Sequence, residues 1–143
     1  MVILIDTNVI LDHLISRQPF VDTAAEILRL CFEQKCNGYI AAHSVTNIFY
    51  ILRRQFSANE RKKMLTDLCG FIEVAGIQRK QIIDALVNED FYDLEDRLQV
   101  ECARMVNADY IVTRNIADFS ASPIPAILPE NLLQKMAGTG EEI

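Results

Sequence analysis

The chain has 143 residues, 20 acidic and 14 basic side chains, a formal net charge of -6 and 50% hydrophobic residues. That length and composition describe one globular domain and exclude a disordered chain. A pI near 4.9 excludes a protein that holds nucleic acid by bulk charge, and no apolar run is long enough to cross a bilayer.

In chain order, short apolar segments alternate with helical patterns. Val2–Ile5 reads as a buried strand, and the Asp6-Thr7-Asn8 that follows stands at its tip and opens a helix. Val21, Ala24, Ala25, Leu28, Cys31 and Phe32 recur at helical spacing, and residues 38–42 form the second strand. Val45, Ile48, Phe49 and Leu52 mark the next helix, which runs into Arg53 and Arg54. Ser57 and Glu60 form a capping box for a helix that turns Met64, Leu65 and Leu68 inward and stops at Gly70. Residues 71–75 make a third strand. Residues 78–88 make a helix patterned by Ile82, Ile83 and Leu86, and Asp93 caps one patterned by Leu94, Leu98, Cys102 and Met105. Strands over 110–113 and 125–128 and a short helix over 129–136 complete a single domain of residues 1–137, leaving 138–143 as a flexible tail.

Strands separated by helices imply crossovers and a mostly parallel sheet covered on both faces. Ligands of such sheets bind beyond the carboxyl ends of the strands, where three acidic segments fall. Asp6 ends the first strand. Between Asp84 and Glu101 stand seven acids and one base, Arg97. Thr113-Arg114-Asn115 and Asp118 follow the fourth strand. An Asx turn or helix cap explains one or two of these acids, not the set. Carboxylates brought together repel, and with no adjacent Lys or His a hard divalent cation, Mg²⁺ or Mn²⁺, is the natural counter-charge. Metal-assisted phosphodiester hydrolysis is the chemistry this suggests. A dehalogenase-type phosphatase is disfavoured because Asn8 stands where its second Asp belongs. A receiver domain is disfavoured because no Lys follows the fourth strand. Four cysteines and two histidines make no zinc spacing. With no secretory signal at the amino terminus, the cytoplasm is the expected compartment.

The opening Ile5-Asp6-Thr7-Asn8-Val9-Ile10-Leu11-Asp12 resembles the first motif of PIN domains, the fold of VapC-type toxin ribonucleases. Asp93-Leu94-Glu95-Asp96 and the stretch from Ile111 to Phe119 resemble the family's closing half. The resemblance spans nearly the whole chain. It implies an α/β fold, a three-layer α/β/α sandwich with a mostly parallel central sheet of about five strands. It further implies an Mg²⁺- or Mn²⁺-dependent ribonuclease, a possible toxin of a toxin–antitoxin pair. By resemblance Asp6, Asp96 and Asp118 are the catalytic, metal-binding acids, and Asn115 lies where many relatives carry another Asp. Thr113 is a site hydroxyl, and Thr7 and Asp93 are secondary polar groups. Asn47 stands where relatives usually carry Glu, and Asp93 or Glu95 are placed to compensate. The alternative that Asn47 raises is a catalytically weak module binding RNA or protein. An acidic-site phosphatase is a third. Arg17, Arg54 and Arg114 are the candidate RNA contacts, and His43, Asn47, Tyr50 and Arg54 share one helical face. RNA, a separate antitoxin chain and a second copy of the protein are the expected partners, with no membrane.

Overall fold

A computed structural model describes the backbone of residues 1–141 and the side chains of residues 1–138. Five parallel strands form one sheet in the order β3-β2-β1-β4-β5. They are β1 (Val2–Ile5), β2 (Asn37–Ala41), β3 (Glu73–Ala75), β4 (Tyr110–Val112) and β5 (Ala126–Ile127). Leu4 lies opposite Tyr39 on one side and Ile111 on the other, so β1 is the central strand. Among the described residues, seven α-helices connect and flank the strands: α1 (Thr7–Leu14), α2 (Val21–Phe32), α3 (Ala42–Ile51), α4 (Ala58–Leu68), α5 (Arg79–Val87), α6 (Leu94–Met105) and α7 (Pro129–Glu141).

Alternation along β1 divides the core. Ile3 and Ile5 face a cluster with Val9, Ile27, Ile48 and Leu132, from α1, α2, α3 and α7. Leu4 faces the opposite cluster with Val100, Ala103 and Phe119, mostly from α6. The sheet is therefore the middle of three layers. Gly38 in β2 has a packing reason: a Cβ there would lie 2.5 Å from Cys31 Sγ and 2.9 Å from Ile72 Cδ1.

The Ser57–Glu60 capping box closes in both directions, at 3.0 and 3.1 Å. Asp93 caps α6 by accepting from the Asp96 N–H at 3.0 Å. Most boundaries shift by a residue or two from the sequence reading, and three boundaries and one face differ for a physical reason. β3 starts two residues late, because Gly70, Phe71 and Ile72 complete the exit from α4 through bonds back to Asp67 and Leu68. Leu52–Arg54 tighten into a 3₁₀ turn instead of continuing α3. α7 continues through Glu141, four residues into the expected tail, and residues 142–143 lie outside the described residues. On α5, Ile82, Ile83 and Leu86 are exposed and only Ala85 is buried. No helix of the described residues is long and apolar enough to cross a membrane.

This topology fixes where chemistry can collect. β1 lies between β2 and β4, so consecutive connections diverge beside its carboxyl end and leave a crevice there. The β1–α1 junction, the start of α3, the amino end of α6 and the loop after β4 all meet that edge.

Candidate active site

Asp6 leaves β1 and occupies the N-cap position of α1 without a side-chain cap bond. It is 6% exposed, and Thr113 donates to its Oδ2 at 2.8 Å. The Thr113 hydroxyl also accepts the Asn115 N–H at 3.0 Å, so one buried hydroxyl holds the first acid and sets the course of the loop after β4. Burial raises Asp6 above the usual carboxylate range. The bonds from Thr113 and the Thr7 N–H oppose that rise, and the charges of Glu95 and Asp118 add to it.

A cleft of about 450 Å³ opens above Asp6. Its walls carry five carboxylates, Asp6, Asp93, Glu95, Asp96 and Asp118, together with the amides of Asn8, Asn47 and Asn115 and the side chains of Tyr50 and Ile51. Among the described residues, no Lys, Arg or His lines it. Asp96 is pushed up to about 7, first by burial, then by the charges of Asp93, Asp118, Asp6 and Glu95. A carboxyl half-protonated at neutral pH marks a cleft that lacks a counter-charge.

The sequence-derived candidates separate into three groups. Asp6, Asp96, Asp118, Asn115, Asn47, Asp93 and Thr7 all line this cleft. Thr113 lies beneath it, fully buried. Arg17, Arg54 and Arg114 do not line it. Arg114 donates twice to Asp12, at 2.7 and 3.1 Å, and stacks over Phe20 at 3.9 Å. Arg17 lies 3.5 Å from the same carboxylate. Asp12 is 1% exposed, and this ion pair braces α1 against the loop that carries Asn115. Arg54 lies exposed on the 3₁₀ turn after α3.

Further residues support the cleft from below. Thr7 donates to Ser44 at 2.8 Å, and the Gln99 amide donates to both, at 3.2 and 3.0 Å. This buried trio pins α1, α3 and α6 together under the site. Ser44 and Gln99 carry no local sequence signal, since their partners are 37 to 92 residues away. Glu95 was visible only as a neighbour of Asp96.

The donor set suits a hard divalent cation: every lining heteroatom donor is an oxygen or an amide, and the charge is one-sided. Among the described residues, no three His, Cys, Asp or Glu side chains stand close enough to enclose an ion directly. A cation that retains several of its waters needs only one or two direct carboxylates, and Mg²⁺ binds in that way.

A PIN-domain family model matches residues 2–117. The chain belongs to the PIN-domain family. Solved structures of similar fold include VapBC2 from Rickettsia felis, bound to a DNA fragment from its promoter, with TM-score 0.67 and 15% identity over 90% of this chain and 98% of that one. VapC20 of Mycobacterium tuberculosis, a sarcin–ricin loop cleaving toxin, gives TM-score 0.65 and 17% identity over 85% and 95%. FitAB bound to a DNA fragment gives 0.63 and 18% over 89% and 94%. No curated protein matches the chain in sequence.

Proposed function

We propose that the cleft is the active site of an Mg²⁺- or Mn²⁺-dependent ribonuclease. The observation that carries this is the gathering of five carboxylates without a cation at the sheet's switch point. Family membership agrees with it. In this reading Asp6, Asp96 and Asp118 hold the cation, directly or through water, and Asn115 and Asn47 add neutral oxygens. A divalent cation bound there makes coordinated water acidic and screens a phosphodiester. Thr113 keeps Asp6 in one orientation, and the Thr7–Ser44–Gln99 trio keeps the cleft walls at fixed separation. Asp96 holds a proton near neutral pH, and a cation held there would favour its ionised form.

The test is cleavage of single-stranded RNA by purified protein in Mn²⁺, in chelator, and by the Asp6→Asn and Asp96→Asn variants. Activity confined to wild type in Mn²⁺ is expected, and activity that survives both substitutions overturns the assignment. Asn47 on the cleft wall favours a second reading, a weakly catalytic module, selected if RNA binds and is not cut.

The same proposal makes the protein a cytoplasmic toxin restrained by a separate antitoxin chain. It is supported by the likeness in fold to VapBC2 and FitAB. It includes a homodimer, for which the exposed Ile82, Ile83, Leu86 and Val87 of α5 offer apolar surface. Sedimentation of the purified chain decides the oligomeric state.

A further inference from the structure

The acidic cleft leaves a question of recognition. Its walls repel phosphate, and the three arginines expected to contact RNA lie elsewhere. One exposed aromatic residue stands among the acids and amides of the cleft wall. Tyr50, on its wall, is 61% exposed, and the Arg53 guanidinium lies over its ring at 3.7 Å. Arg53 is held there by donating from Nη1 to the Tyr50 carbonyl at 2.9 Å. One face of Tyr50 is thus covered by an exposed cation and the residue remains open to solvent.

The cleft continues into a second hollow of about 210 Å³ that Tyr50 does not line. The two share Asp93, Asp96 and Asp118. Tyr92, wholly exposed, lines this second hollow. The result is one acidic trough of two joined hollows, each lined by its own exposed tyrosine. An aromatic ring left largely in solvent gains little from folding, since it buries little surface. Two such rings lining one trough have the form of stacking platforms for unpaired bases.

Resting on the ribonuclease reading, we infer that Tyr50, backed by Arg53, and Tyr92 are the nucleobase-binding subsites of this protein, stacking unpaired bases of RNA in the two hollows of the acidic trough. Arg53 then meets a backbone phosphate at the rim, where the trough itself provides no positive charge. A base in a duplex is already stacked on both faces, so the arrangement selects single strands or loops. Stacking tolerates any base, so the platforms set strandedness and leave sequence preference to other contacts.

The test uses the full chain and an eight-nucleotide oligouridine RNA, with Ca²⁺ in place of Mn²⁺ to slow cutting. The protein has four tyrosines and no tryptophan, so tyrosine fluorescence reports on stacking directly. Oligouridine should quench it, and a blunt RNA duplex should not. Tyr50→Ala and Tyr92→Ala should each weaken oligouridine binding about five- to hundredfold, the span of one base–aromatic stack. Tyr50→Phe and Tyr92→Phe should bind within about twofold of wild type, because the ring is kept. Arg53→Gln should weaken binding and lower the salt dependence by about one counterion. Both tyrosines are exposed, so the variants should keep the wild-type melting temperature.

Unchanged affinity in the alanine variants, or equal quenching by duplex, overturns the inference. Loss of cleavage chemistry is a separate result. If wild type fails to cut RNA in Mn²⁺ while the alanine variants still lose affinity, the platforms stand and the ribonuclease reading falls. If cutting is intact and affinity is unmoved, the platforms fall alone.

Discussion

Replacing Asp96 by Asn should stabilise the metal-free protein. Among the described residues no side chain hydrogen-bonds to the Asp96 carboxylate, so the near-isosteric amide loses no contact. What it removes is charge. The carboxyl is raised from its ordinary 3.8 to about 7 by burial and by four neighbouring acids. Such a rise amounts to about 4 kcal/mol in a dry site. Asp96 is only half-buried, and solvent screening reduces this to about 1–2 kcal/mol. A group whose folded pKa lies above its unfolded one loses stability as pH rises from the lower value through the higher. The difference between variant and wild type should therefore be near zero at pH 4, grow through pH 7 and be complete at pH 8. In chelator at pH 8 the variant should melt about 2–8 °C higher. Millimolar Mn²⁺ should reverse the order by stabilising wild type alone. Thermal melts of both proteins at four pH values, with and without Mn²⁺, check this. A variant that melts lower than wild type in chelator at pH 8, or a gap that does not change with pH, would refute the reasoning.

Thr113→Val removes the donor to Asp6 and the acceptor for the Asn115 N–H while keeping shape; urea unfolding should show a loss of about 1–3 kcal/mol, and the Mn²⁺ affinity should fall as Asp6 becomes harder to ionise. Asp12→Ala strips Arg114 of both its carboxylate bonds and takes the Arg17 partner as well; urea unfolding should show a loss of about 3 kcal/mol. Asn47→Asp adds a sixth carboxylate to the cleft wall; calorimetry should show Mn²⁺ binding tighter on the order of tenfold, and melting in chelator should fall.

The sheet was legible because its evidence is local. Val2–Ile5 is a short apolar run ended by Asp6, Tyr110–Val112 is one bounded by Asp109 and Thr113, and Ser57 and Asp93 cap helices through bonds three residues away. The acids of the cleft were legible for a topological reason. Asp6 and Asp118 follow the two adjacent strands β1 and β4, and a parallel sheet brings those ends together. What stayed hidden depends on partners distant in sequence. Arg114 sits beside Asn115 in the chain, yet its side chain reaches 102 residues back to Asp12 and leaves the cleft. Gln99 reads as an ordinary helix residue, and its role follows only from Thr7 and Ser44 meeting it under the sheet edge. On α5, periodicity marked Ile82, Ile83 and Leu86 as apolar but could not show that little packs over them. The aromatic residues of the trough were similarly illegible, because exposure of Tyr50 and Tyr92 is a tertiary property.

The account stands on the acidic cleft being built for a divalent cation. Isothermal titration of the wild-type protein with Mn²⁺ at pH 7, in two buffers of different ionisation enthalpy, tests that most directly. Saturable binding with net proton release is the predicted result, because the cation must displace the proton that Asp96 holds near pH 7. Absence of binding at millimolar Mn²⁺, or binding that Asp6→Asn and Asp96→Asn leave unchanged, would contradict it.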